Sequence, residues 1–587
     1  MTCLKKRTVA LLMAILILCV ACLGSCGERA GVDEGHTDDS TAESATTPGE
    51  TLPSEEAGPV VLAENGEYRY RVVYPRKQKN GEQEAAASLV SAMRVIFGSE
   101  PKNGTDVMKY EKDTLEIYVG LLGYEESQAA HEAIGYGDYS ITQNGNKIVI
   151  AAYESNILQL AVNSFIADMK AGSTADVLLL PTDFTKTKTV VPMLSAVPKL
   201  GTDIPKLYCV ADSSSYTYVL ENCKESRFDD YKTAIAGKGF TAYASQTLAD
   251  NSFATYHNDL CVVNLSYFPA KKTLHVAIDS KKYTAMPETS ATAFDSVGDT
   301  ELTLLGVSGS GNDENGLSMF MRLADGRFLI WDGGGTEPER DAENLYNQLK
   351  ASAEEVGLDK VVIAAWMLTH SHGDHANTYL SFLPKYGAQV ELQKLIISPT
   401  TYEYGAAARD GAQFEANVMT QTIFKSKNTS IIIARTGQRF YFADVTVDIL
   451  YTLDALMPMD FTDYNLASIV SRVERNGKIL ITTGDCATAG WNFICDVYGE
   501  YENGTYLDCD YLQIPHHGAV PGGTVEAYNL LKPDYLLWPA GPSVFETITG
   551  SGYKGYEINL HVLDEMGLRD HTYLADLFGT VTTLTFG

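Results

Sequence analysis

Positive charge is scarce in this sequence. Its 587 residues carry 45 Lys and Arg against 75 Asp and Glu, for a formal net charge of −30. Such a surface does not favour non-specific binding to nucleic acid, which relies on Lys and Arg, although a local basic groove remains compatible with it. The acidity serves solubility. Cysteine is sparse as well, with ten in all. Cys3, Cys19, Cys22 and Cys26 fall in the N-terminal signal region, and Cys209, Cys223, Cys261, Cys486, Cys495 and Cys509 form no CxxC zinc spacing. Disulfides of Cys209 with Cys223 or Cys261, and of a pair among Cys486, Cys495 and Cys509, are open to an exported chain. So are six buried thiols. No run beyond the N-terminus is long and apolar enough to span a bilayer, and no internal repeat is visible. Histidine is rare too, at 11 residues, so any cluster of it carries information.

The first 58 residues are read as processing and tether. Lys5-Lys6-Arg7 is a basic segment and Val9 to Leu18 an apolar one of signal-peptide length. Leu23-Gly24-Ser25-Cys26 resembles a bacterial lipobox. The resemblance implies a signal peptide over 1–25 and lipidation of Cys26, which anchors the chain in the lipid bilayer at the extracellular face of the cytoplasmic membrane. Residues 26–58 are rich in Gly, Ser, Thr, Glu and Asp, a composition that buries too little to fold and reads as a flexible linker.

At roughly 150 residues per domain the rest of the chain makes several. Residues 59–190 read as a small α/β domain. Strands are predicted at Tyr68–Tyr74 and Leu115–Gly120, helices over Ala85–Phe97 and Ile157–Met169, and a hairpin at Tyr139–Ile150 turning on Asn144-Gly145. The pattern resembles the small α/β domain that precedes the catalytic barrel in bacterial glycoside hydrolases, which implies contact with cell wall or glycan; a plain spacer is the alternative. Residues 191–298 read as an α+β domain, with a helix over Phe228–Ala236 and strands at Cys261–Tyr267 and Thr273–Ile278. His257 and His275 are isolated there and read as structural.

From residue 299 the pattern changes to strands at Leu302–Val307, Ser318–Leu323 and Arg327–Asp332, then a helix face of Leu345, Leu349, Ala353 and Val356. Next comes the apolar run Val361–Leu368, and directly after it His370-Ser-His372-Gly-Asp374-His375. Alternate residues of an extended segment point the same way, so His370 and His372 can share one metal. Asp374 and His375, past the Gly373 break, can turn to a second. Imidazole and carboxylate suit a hydrolytic zinc site. Further such groups end later strands: Asp332 before three glycines, Asp485 in Thr482-Thr483-Gly484-Asp485, and His516-His517 in Pro515-His516-His517-Gly518. Asn465-Leu466-Ala467-Ser468 opens a hairpin that turns at Asn476-Gly477.

This set, DGG, HxHxDH, NxxS, TGD and PHHG in that order, resembles the metallo-β-lactamase fold, and within it the branch of the competence-protein (ComEC-type) hydrolase domain. The resemblance spans 299–587 and implies an αββα sandwich with two divalent metal ions, zinc first and manganese as the alternative. It implies that His370 and His372 bind the first ion. Asp374, His375 and one of His516 or His517 bind the second, with His516 favoured and His517 outside it. Asp485 bridges, and Asp332 orients a histidine. Asn465 and Ser468 support the site, touch substrate or merely begin the hairpin. The family's third histidine for the first ion is missing, since none lies between His375 and His516. A weak first site follows, unless Asp460, Asp463 or Asn465 helps.

The implied activity is that of a metal-dependent extracellular hydrolase using a metal-bound hydroxide, with Asp374 accepting the proton of the nucleophile. A phosphodiesterase is the first reading. A carbon-ester or lactone hydrolase, or a non-catalytic wall-binding lipoprotein, is the alternative.

Overall fold

The computed structural model describes residues 58–587 except 79, 108–109, 175, 200–206, 210–213, 311–312, 315, 401–408, 458–462, 501–503, 576–577 and 580. The signal peptide, Cys26 and the linker up to residue 57 lie outside the described residues, as does Asp460. Residues 58–587 form one compact unit of mixed α/β structure.

The C-terminal part is an αββα sandwich. Its first sheet runs 430–433, 394–397, 361–367, 328–332, 318–322, 301–305, 581–585. The second runs 439–442, 445–451, 470–475, 478–482, 511–513, 535–538, 572–574. Alternating side chains explain the layering. Leu329 and Trp331 from one sheet pack with Val447, Leu480 and Leu537 from the other to fill the space between them. On the outer face of the first sheet, Phe328 and Ile330 pack against Leu345, Leu349 and Phe382 of the helices Pro338–Glu355 and Gly373–Tyr386. On the outer face of the second, Ile481, Leu512 and Leu536 pack against Trp491 and Tyr528 of Thr488–Tyr498 and Val525–Leu531. Trp331, Trp366, Trp491 and Trp538 are all fully buried here. A buried aromatic of this size contributes at least about 1.5–3 kcal/mol of transfer free energy.

Three further sheets precede the sandwich: a three-stranded one in the order 67–68, 60–64, 177–180, and two of six strands. One of these two has the order 103–105, 71–74, 116–119, 147–152, 138–144, 186–189, with Glu82–Phe97 and Ser155–Gly172 packed on one face. The other is wholly antiparallel, in the order 208–209, 215–220, 273–280, 261–268, 251–257, 241–248. Its helix Glu225–Gly237 covers one face. Leu248, Phe253 and Phe268 of this sheet join the core beneath Trp491.

Three local expectations are corrected. Tyr68–Tyr74 is not one strand: Glu67–Tyr68 and Arg71–Tyr74 enter different sheets. The hairpin turns on Gly145-Asn146, because Asn144 still pairs with Lys147. Gly373 does not break the chain but begins a helix. Cys223, Cys261, Cys486, Cys495 and Cys509 are free and buried, so no disulfide forms among them; the side chain of Cys209 lies outside the described residues.

The antiparallel sheet is locked to the sandwich by a buried ion pair. Arg435 Nε donates to Asp279 Oδ2 at 3.0 Å, and its Nη1 lies 3.6 Å from Asp454 Oδ1. Arg435 and Asp279 are 4 % and 1 % exposed. Removing one partner strands the other charge, so Arg435→Ala is expected to lower unfolding free energy by about 3–5 kcal/mol in urea titration. A loss below about 1 kcal/mol would refute that role.

Candidate metal centre

All the ligand-type residues arrive at one rim of the sandwich because each follows the C-terminal end of a strand. Asp332 ends Phe328–Asp332, the histidine run follows Val361–Met367, Asp485 follows Lys478–Thr482, and the histidine pair follows Tyr511–Gln513. The first two strands are parallel neighbours, and so are the last two.

Asp485 is the centre of the cluster and is 2 % exposed. Its backbone N–H donates to Ser468 Oγ at 3.0 Å, which gives Ser468 a supporting role. Gly484, at φ 52°, packs so tightly that a Cβ there would lie 2.5 Å from Thr369 Oγ1. Gln513 Oε1 accepts from the N–H groups of Thr483 and Gly484 at 2.7 and 2.8 Å.

Around Asp485 the donors fall into two groups. Asp374, His375, Asp485 and His517 each offer an atom within 4.8 Å of the others, and so do His370, His372 and Asp485. His375 Nε2 and His517 Nε2 lie 3.1 and 3.4 Å from Asp485 Oδ1. His517 Nε2 is also 3.5 Å from Asp374 Oδ2. His370 Nε2 is 3.0 Å from His372 Nδ1 and 3.8 Å from Asp485 Oδ2. Asp374 and His375 stand on the first turn of Gly373–Tyr386, which follows His372.

The expectation for the PHHG pair is corrected. His517, not His516, joins Asp374 and His375. Both histidines adopt left-handed backbone, at φ 54° and 52°, a conformation uncommon outside glycine. The turn therefore sends the two rings apart. His516 Nε2 lies 3.9 Å from Asp485 Oδ2 and accepts from Asn465 Nδ2 at 3.2 Å. Asp463 caps the turn before the hairpin by accepting from the Asn465 N–H at 3.1 Å.

The wall behind the ligands is equally specific. Asp332, 0 % exposed and at φ 55°, accepts from the Thr369 N–H and Oγ1, both at 2.7 Å, and from His375 Nδ1 at 2.8 Å. His370 Nδ1 lies 3.2 Å from Thr369 Oγ1, and His517 Nδ1 donates to the Pro539 carbonyl at 2.8 Å. With one nitrogen occupied, the other is aimed into the cluster.

The residues fit bound metal. His375 Nε2, His517 Nε2 and Asp485 Oδ1 are buried and have no hydrogen-bond partner. Buried polar groups are normally satisfied, and these three point at a common centre. Burial opposes a charge on His375, but Asp485, Asp332 and Asp374 outweigh it and hold its pKa well above the ordinary value. Burial likewise opposes protonation of His517, yet Asp485 and Asp374 push it up to about 10. Burial would raise Asp485 and Asp374, but His375 and His517 hold both carboxyls below the usual range. His370 is driven well down by burial and by His375. The carboxylates thus favour positive charge at this centre, which a cation can supply.

Several residues at this rim were not evident in the sequence. Thr369 and Gln513 hold the backbone. Tyr464 places its ring 5.3 Å from that of His372 and donates to Glu415 at 2.8 Å. Trp366 and Trp538 donate to the backbone carbonyls of Asp332 and His517 at 3.0 and 2.8 Å. Gln513 alone had a signal, as an amide inside an otherwise apolar strand.

No protein-family model and no curated protein matches the chain. Among solved structures it is similar to CmlA, a diiron β-hydroxylase from Streptomyces venezuelae, at 10 % identity and TM-score 0.28, covering 50 % of this chain and 55 % of that one. The chain thus spans only about half of that protein. It is also similar to a protein from Parabacteroides distasonis described as a metal-dependent hydrolase, at 10 % identity and TM-score 0.22, covering 58 % and 99 %. A third likeness is to a GH138 enzyme targeting pectin rhamnogalacturonan II, at 17 % identity and TM-score 0.13, covering 19 % and 15 %. At TM-scores this low the likenesses carry no argument, and the fold stands on its own topology.

Two outcomes are expected. Asp332→Ala frees His375 to rotate and should weaken metal affinity about 10–100-fold in chelator competition; unchanged affinity would remove Asp332 from the site. Because His517 is raised above its ordinary value of about 6.5, its protonation stabilises the metal-free protein fully below that value. This contribution is lost as pH rises through about 10. Melting temperature measured with chelator should therefore contain a falling component over that window that metal-loaded protein lacks. Parallel curves would contradict it.

Proposed function

We propose that this protein is a metal-dependent hydrolase of phosphodiesters. The observation that carries the proposal is the division of donors about Asp485, with one carboxylate oxygen facing His375 and His517 and the other facing His370. Bound there, two divalent ions would supply a water of lowered pKa and a clamp for the attacking and leaving oxygens of an in-line displacement.

The chain's own residues supply the rest. Asp374 has the most open carboxylate of its group, 33 % exposed where Asp485 is 3 %, and so faces arriving substrate and water. Held by His517, it is placed to accept the proton of the nucleophile. Asp332, Thr369 and the Pro539 carbonyl keep the imidazoles from turning as charge develops. Among the described residues no cysteine belongs to the cluster, which separates it from a β-lactamase site that uses one. The acidic chain suits a small or wall-bound diester better than a long polyanion. We further propose that lipidated Cys26 holds the protein at the outer face of the cytoplasmic membrane, with residues 59–190 turned to wall or glycan.

The full chain is expected to hydrolyse bis-(p-nitrophenyl) phosphate in preference to nitrocefin or lactones. Asp374→Ala and His372→Ala should each lower kcat/KM at least about 10²-fold. Preference for a lactone would move the protein to the carbon-ester class. Absence of bound metal under metal-replete conditions would end the hydrolase reading altogether.

A further inference from the structure

We propose that His516 is the third imidazole of the first metal site, so that the PHHG turn serves both ions, one histidine each. The inference rests on the two-ion reading above and changes what its first site is. On sequence alone that site has two histidines and a shared carboxylate, and is expected to be weak.

Three observations point to His516. The first is distance. His370 Nε2 and His516 Nε2 lie 3.8 and 3.9 Å from the same oxygen, Asp485 Oδ2. His375 and His517 face the opposite oxygen, Oδ1. The carboxylate thus has two imidazoles at each end, and His372 Nδ1 joins the Oδ2 end through its 3.0 Å approach to His370.

The second is tautomer. His516 Nδ1 donates to the Pro521 carbonyl at 3.2 Å, as His517 Nδ1 does to Pro539 at 2.8 Å. Each ring of the pair has its outer nitrogen tied to a backbone oxygen, which turns Nε2 toward Asp485. That is how metal-binding histidines are oriented.

The third is the partner that now faces that nitrogen of His516. Asn465, 6 % exposed, directs its amide N–H at His516 Nε2, while its Oδ1 is buried without a hydrogen-bond partner. An amide in this state holds the place of a cation: it meets the imidazole lone pair with a weak positive end and leaves an oxygen unused. His516 stands outside the tight triad of His370, His372 and Asp485, so cation binding must draw its ring inward off Asn465. At 21 % exposure it has room to move. Two successive left-handed residues make the arrangement possible, and each carries backbone strain that a purely structural turn would avoid with glycine.

Three imidazoles and one carboxylate oxygen make a four-coordinate, nitrogen-rich site. That set favours zinc over manganese, which prefers oxygen donors.

The test uses the full chain loaded with Zn²⁺, freed of excess by gel filtration, with metal content measured by mass spectrometry and affinity by chelator competition. His516→Gly removes the imidazole and relaxes the left-handed backbone, so the turn is preserved. The wild type should retain two ions. His516→Gly should retain one, with affinity for the other reduced more than about 100-fold, beyond the 10–100-fold typical of an outer neighbour. Added free imidazole should restore the second ion. His517→Gln should release the opposite ion and show no change in the first. The inference is overturned if His516→Gly keeps both ions within about 10-fold of wild-type affinity, if the loss is intermediate and imidazole does not rescue it, or if the wild type binds a single ion. A wild type that binds no zinc would instead refute the metallohydrolase reading on which the inference stands.

Discussion

The structure depends on keeping the carboxylate of Asp485 ionised at 2 % exposure. An ionised carboxylate taken out of water loses several kcal/mol of hydration unless opposite charge and hydrogen bonds replace it. Replacement here comes from all sides. Ser468 and Gln513 hold the backbone about it, and imidazoles from two separate strand ends face both its oxygens. Its charge in turn raises the pKa values of His375 and His517. The same crowding that makes those histidines basic makes the site a receptor for divalent ions.

Delivering these groups to one place is the work of the sandwich. The ligands come from strands whose C-terminal ends meet on one rim, and the core reaches directly to the site. Trp366 fills the outer face of the first sheet and donates to the carbonyl of Asp332; Trp538 does the same for His517 on the second sheet. Packing and ligand orientation are therefore one network, and loosening either tryptophan would loosen a histidine. The antiparallel sheet before the sandwich is fastened through Arg435 and Asp279, which makes it a structural neighbour rather than a passive tether.

Much of this was legible in the chain. Apolar runs ending in ligand-type residues mark buried strands meeting a polar rim. HxHxDH keeps its first two histidines close, and the structure sets His370 Nε2 and His372 Nδ1 3.0 Å apart, although both lie past the end of the strand Val361–Met367. Other features were not legible for definite reasons. Gly373 reads as a breaker, yet begins a helix because the chain must turn outward from the rim. Tyr68–Tyr74 alternates like one strand but is divided between two sheets, since alternation records burial and not partners. Thr369, Tyr464 and Trp538 are ordinary residues whose importance comes only from what lies across the fold.

The sequence by itself determined the donor types, their order along the chain and the strand ends that carry them, because composition and periodicity are local properties. It could not determine which of His516 and His517 faces which oxygen of Asp485. Adjacent residues have equal claims until the backbone between them is set. Two left-handed φ angles, the carbonyls of Pro521 and Pro539 and the indole of Trp538 set it. Pro539 and Trp538 stand 22 and 21 residues from His517 along the chain, in contact with it only once the second sheet has closed.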